Sequence, residues 1–126
     1  MRLFSRPMLR TVLFTACLLG VGLHVFISVV KSAGGPNAFS LGLLVWSLLP
    51  YASAVGVAAL AKNVLVGVVP VCLVLALDTW TYYAVFVHPS ASTAALALLA
   101  VPLWNLVLVV PIGAGATWFL IRGNKQ

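Results

Sequence analysis

The sequence predicts an all-α membrane protein, an antiparallel four-helix transmembrane bundle built from two helical hairpins with both termini cytoplasmic. Three observations lead there. The composition is 63% hydrophobic and 6% charged, and the mean hydropathy is +1.20; a soluble domain carries about 25% charged residues to cover its surface. Four apolar stretches, near residues 11–30, 39–61, 64–87 and 93–121, are separated by short polar breaks. A spanning helix needs about 20 residues, so four of them use nearly all of the 126 residues as a single transmembrane domain. The basic residues sit at the ends of these stretches. Arg2, Arg6, Arg10, Lys62, Arg122 and Lys125 fall on one side and Lys31 alone on the other, and such a bias places the richer side in the cytoplasm.

The formal charge of +6 would suggest nucleic-acid binding in a soluble protein. Here the basic residues form no aromatic-interleaved patch, so topology accounts for them and no nucleic-acid partner is expected. Cys17 and Cys72 lie inside apolar runs and read as small buried apolar groups, not as a disulfide framework.

Residues 1–10 carry three arginines and no acid, ahead of the apolar run from Thr11 to Val30. The run is longer than the roughly 7–15 residues of a signal-peptide core. Lys31 also stands where cleavage after Ala33 wants a small residue. The segment is therefore expected to remain as the first span. Lys31 to Asn37 contains Gly34-Gly35-Pro36 and must turn, with Asn37 or Ser40 available to cap the second span. Pro50 falls in the middle of that span and is expected to kink it. The break at Lys62-Asn63 is short enough to force spans two and three into a close antiparallel pair. Span three ends in Tyr82, Tyr83 and Phe86, an interfacial aromatic belt. Span four begins near Ser92 or Thr93, is long for one crossing, and is divided by Pro102 and Pro111. Trp118 is expected at its far interface.

Asp78 is the sole acidic residue. A carboxylate near the bilayer centre costs about 2.5–3.5 kcal/mol on insertion scales and ordinarily faces a partner or a wet cavity. At about 1.5 Å per residue from Val64, Asp78 lies roughly 21 Å deep, and His24 lies roughly 20 Å from Thr11. Ala16, Gly20, His24 and Ser28 share one face of span one. Ser40, Ser47, Tyr51, Ala54 and Ala58 form a similar small and polar stripe on span two. The expectation is a buried polar layer of His24, Ser47, Tyr51 and Asp78, with Asn105 of span four about two turns below it. Such a layer fixes helix packing, handles a proton or cation through Asp78 and His24, or meets a partner's charge.

Trp46, Trp80 and Trp104 serve packing and interfacial anchoring in preference to lining a pocket. Gly113-Ala114-Gly115-Ala116 and the Ala52/Gly56 pair read as surfaces for close helix approach. No intramembrane carboxylate pair, His-Glu-x-x-His helix or Cys-x-x-Cys motif is present, so neither catalysis, a metal nor a cofactor is expected. In size and span count the chain resembles the small multidrug-resistance transporters. Those carry their essential carboxylate in the first span, where this sequence has His24 and no acid; the family is not assigned on that pattern.

The leading functional expectation is a non-catalytic polytopic protein of the bacterial inner membrane that binds a partner within the bilayer. That partner makes it an accessory subunit of a larger complex or an immunity-type protective protein. The alternative is a small proton-coupled transporter, working as a homo-oligomer, that uses Asp78 and His24. The orientation is testable: a fluorescent reporter that folds only in the cytoplasm should fluoresce when fused after Gln126. Alkaline phosphatase, which requires export, should be active when inserted in the turn at residues 31–37, and the reverse pattern would invert the topology.

Overall fold

The first two helices start where the sequence supplies a cap. In the computed structural model, which describes residues 5–124, the first helix (α1) runs Arg6–Val30. Arg2 and Lys125, counted above for orientation, lie outside the described residues. Ser5 caps α1 by accepting from the Met8 amide, and Pro7 occupies the first turn, where its missing N–H costs nothing. The helix thus begins before the expected Thr11, because a capped basic first turn is compatible with an interface. Gly34 and Gly35 take φ of +81° and +84° in the following turn, a backbone that a Cβ disfavours.

The second helix (α2) is Ala38–Leu60. Asn37 and Ser40 both cap it: the Asn37 side chain accepts from the Ser40 amide while the Ser40 hydroxyl accepts from the Asn37 amide, each at 2.9 Å. α2 remains α-helical through Pro50, which is fully buried. Lys62 takes φ +52° and reverses the chain into α3, Leu65–Tyr82.

Spans three and four are less regular than expected. The last turn of span three, Tyr83–Val87, is π-helical, and the His88 amide donates to the Tyr83 carbonyl at 2.9 Å. Span four opens with a 3₁₀ turn at Ala94–Leu96, preceded by Thr93, whose side chain makes no cap bond. It continues as α4, Ala97–Trp104, passes through a π-helical turn at Asn105–Val109, and ends as α5, Val110–Gly123. Pro102 denies the Leu98 carbonyl its helical donor, and the adjacent Leu99 carbonyl takes a bond from the Trp46 indole at 3.0 Å. Together these segments make four helices long and apolar enough to cross a membrane: Arg6–Val30, Ala38–Leu60, Leu65–Val87 and Ala94–Gly123.

The four spans pack as a rhombus. Spans two and three lie along its short diagonal and each touches all the others; spans one and four sit at opposite corners with no substantial contact. The buried faces are the small-residue stripes that the sequence displays. Ala16, Gly20, His24 and Ser28 face inward on span one, and Ser40, Ser47, Tyr51, Ala54 and Ala58 on span two. Gly113 packs on Pro70, where an added Cβ would lie 3.3 Å away. The Ala52/Gly56 pair, by contrast, faces out: Gly56 has nothing within 4 Å of an added Cβ. Cys72 is exposed on the outer surface and Cys17 half-buried, which corrects the expectation that both are buried; sulfur facing acyl chains meets no penalty that would turn it inward.

Both ends of the bundle carry aromatic anchors. Tyr82 packs between Phe26 and Phe86, with ring centroids at 6.2 and 5.3 Å. Lys31 lies over Phe26 and Phe86 at 6.0 and 5.8 Å. At the other end Arg122 stacks on Trp118 at 4.6 Å.

Gly67 marks the tightest helix approach in backbone terms: a Cβ there would lie 2.9 Å from the Ala54 carbonyl oxygen and 2.6 Å from the Ala58 Cβ. Gly67→Leu should therefore lower bundle stability by about 1–3 kcal/mol or more, whereas Gly56→Ala should be neutral or slightly stabilising. Thermal unfolding of both variants in detergent micelles checks the contrast.

Candidate functional site

Asp78 is the point on which four spans converge. It belongs to the inward stripe Val71, Val74, Asp78 and Thr81 of span three, a three-and-four spacing that keeps one helical face on the core. The residue is 4% exposed. From span one, His24 Nε2 lies 2.8 Å from Asp78 Oδ2; facing a carboxylate oxygen, this is the nitrogen that carries hydrogen. From span two, the Tyr51 hydroxyl donates to the same oxygen at 2.7 Å. From span four, Asn105 Nδ2 donates to Asp78 Oδ1 at 2.9 Å. With His24 in the tautomer that carries hydrogen on Nε2, all three partners donate to the carboxyl group of Asp78.

The small residues around the cluster make room for it. Gly20, one turn before His24, lies against the Tyr51 ring, and any Cβ at that position would overlap the ring. The ring in turn meets the His24 imidazole edge-on, with centroids 6.1 Å apart and planes at 70°. The glycine is thus what allows the phenol to reach across span one to the carboxylate. The energetic terms are of matching size. Three interhelical hydrogen bonds in a bilayer, at about 0.6 to 1.7 kcal/mol each, offset about 2–5 kcal/mol. The insertion cost of the carboxylate is about 2.5–3.5 kcal/mol.

Four of the five expected layer residues, His24, Tyr51, Asp78 and Asn105, come together. Two placements differ from expectation. Asn105 is a direct partner of Asp78 and does not lie two turns below it. Counted from the turn that joins spans three and four, at ~1.5 Å per residue back from Val87 and on from Ala94, the two side chains differ by only about 3 Å in depth. Ser47 is buried on the same stripe as Tyr51, yet among the described residues no hydrogen bond joins it to the cluster. Its depth matches, but its short side chain does not reach the carboxylate.

Asn105 also carries an anomaly. It is 0% exposed and opens the π-helical turn Asn105–Val109. Its Oδ1 is the one buried side-chain polar atom without a partner among the described residues. Buried Thr81 and Thr117 escaped notice in the sequence because each satisfies its hydroxyl on its own helix. They donate to Leu77 and Gly113 carbonyls at 2.8 and 2.7 Å. Among the described residues no three His, Cys, Asp or Glu side chains gather into a metal-binding group. Trp80 and Trp104 face outward and Trp46 is spent on the Leu99 carbonyl, so the tryptophans anchor and pack.

Comparison with protein-family models, with curated proteins and with solved structures found no match.

Removing the shared acceptor should cost more than removing any one donor. Tyr51→Phe or Asn105→Leu should each destabilise the bundle by about 0.6–1.7 kcal/mol. Asp78→Leu strands three buried donors and should cost several kcal/mol, at about 1–3 for each unmet group. Unfolding in lipid–detergent mixtures measures these values, and equal costs for all three variants would contradict a shared carboxylate.

Proposed function

We propose that this four-span protein is non-catalytic and acts by binding a partner helix within the lipid bilayer, as an accessory subunit or an immunity-type protective protein. The observation that carries this reading is an apolar groove of about 1170 Å³ on the outer surface between spans three and four. Leu73, Ala76 and Leu77 line one wall, and Ile112, Gly113 and Ala116 the other. In a bilayer such a groove is filled by an acyl chain or a helix. Lipid tails are as apolar as leucine, so selectivity comes from shape and close packing. Alanine and glycine along the groove are the residue types that let a second backbone approach. Asp78 points away from this face and is satisfied within its own chain, so recognition falls to shape and not to a buried charge pair. We place this partner in the bacterial inner membrane, and a second copy of the chain is the simplest alternative occupant.

A second reading, a proton-coupled transporter working as an oligomer, draws support from one contact: the 2.8 Å pairing of His24 with Asp78 inside the bundle. Proton relays in membranes are built from such pairs.

Ala76 and Ala116 are both exposed in the groove. Ala76→Phe with Ala116→Phe should fill it without touching the Asp78 cluster. A stoichiometric partner that co-purifies with the unaltered protein in mild detergent should be lost from this double variant, while its thermal stability stays within about 1 kcal/mol of the parent. Retention of the partner would rule out the groove as the binding surface.

A further inference from the structure

We propose that Asp78 reversibly binds a proton on Oδ1, and that Asn105 is the positioning residue whose amide serves both protonation states. The inference deepens the transporter reading but does not require transport. Asp78 Oδ2 already accepts from two donors, His24 and Tyr51, at 2.8 and 2.7 Å. Among the described residues Oδ1 accepts only from Asn105, at 2.9 Å. A carboxylate oxygen has two lone pairs, so Oδ1 is the oxygen with one to spare. Beside it sits the unpartnered Asn105 Oδ1, on a side chain with no exposed surface. A buried acceptor left unmet costs about 1–3 kcal/mol, and a purely structural amide has no reason to carry that cost.

The two anomalies fit one exchange. With Asp78 ionised, the amide presents Nδ2–H to the carboxylate. When a proton from water lands on Asp78 Oδ1, the carboxylate becomes a carboxylic acid with an O–H donor at that oxygen. A half-turn of the amide about Cβ–Cγ then presents Asn105 Oδ1 as its acceptor. No bond between heavy atoms changes, the charge of the cluster rises by one, and the bonds from His24 and Tyr51 to Oδ2 stay in place. The π-helical turn that begins at Asn105 places a helical irregularity at this point of span four; such turns recur at functional sites. The titratable groups facing Asp78 are His24 from span one and Tyr51 from span two. Span four presents only the Asn105 amide to it, and Arg122, its charged residue among those described, lies at the far end. On its own span, Tyr82 is directed to Phe26 and Phe86. The competing proton acceptor is therefore His24, and the experiment must separate the two.

The composition makes that possible, because the chain contains a single acidic side chain. Aspartate labelled with carbon-13 then reports Asp78 alone. Replacing Asn37, Asn63 and Asn124 by Ser leaves Asn105 as the only asparagine. The full chain is reconstituted in phosphatidylcholine vesicles and infrared difference spectra are taken between alkaline and acidic buffers. The expected result is a labelled carboxylic-acid carbonyl band that appears on acidification and disappears on return, with a simultaneous shift of the Asn105 amide band. Asn105→Leu should abolish the amide signal and alter the pH profile of the carboxyl band. A carboxylate that persists throughout while only imidazole bands change would overturn the proposal in favour of His24. A carboxyl band with an unmoved amide would overturn the role of Asn105. If Asn105→Leu does not fold, the labelled spectra of the unsubstituted site decide alone. A parallel measurement of pH-driven solute flux separates the two levels: a titrating carboxyl without flux removes the transporter reading and leaves this inference standing.

Discussion

A single carboxylate that must be kept in the middle of a bilayer constrains everything around it. Its insertion costs about 2.5–3.5 kcal/mol, comparable with what three good interhelical hydrogen bonds return. No one helix supplies them. His24, Tyr51 and Asn105 come from three different spans, so the bundle must be assembled before the cost is offset. Spans one and four share no substantial contact, and Asp78 is the hydrogen-bonded link between them. The carboxylate is therefore a condition for closure as much as a product of it.

The rest of the packing follows from bringing backbones near enough for short bonds. Glycine does this at two interfaces that bear on the cluster. Gly20 yields to the Tyr51 ring, and Gly67 yields to the Ala54 backbone and so holds spans two and three together. The prolines of spans two and three are turned inward, where Pro50 and Pro70 are fully buried. The irregular turns at Tyr83–Val87 and Asn105–Val109 lie on the two spans joined by the Asp78–Asn105 bond.

Inside and outside divide the functional possibilities between them. The interior offers three side chains hydrogen-bonded to one carboxyl group, with one amide oxygen unmet among the described residues. The exterior offers an apolar groove with small residues on its walls, which suits a helix. The two sites lie on different faces of span three: Val74 and Asp78 face the core while Leu73, Ala76 and Leu77 face the groove.

From the residue pattern alone came the membrane environment, the count of spans, the turns between them, the cap of the second span, and the inward faces of spans one and two. These are local or periodic properties: an apolar run long enough to cross, an Asn-x-x-Ser cap, small residues every third or fourth place. Depth counting also paired His24 with Asp78, because both helices are regular between the interface and those residues. It failed for Asn105 and Ser47. Span four opens with a 3₁₀ turn and no side-chain cap, so its sequence marks no sharp origin from which to count Asn105, and a matched depth says nothing of whether a serine is long enough to reach. Tertiary structure alone decided that spans two and three form the diagonal, that Ala52 and Gly56 face outward, and that among the described residues one oxygen of Asn105 is left without a partner. Each of these depends on the rotation of one helix against another, and a helix's own sequence constrains that rotation only through the neighbours it meets.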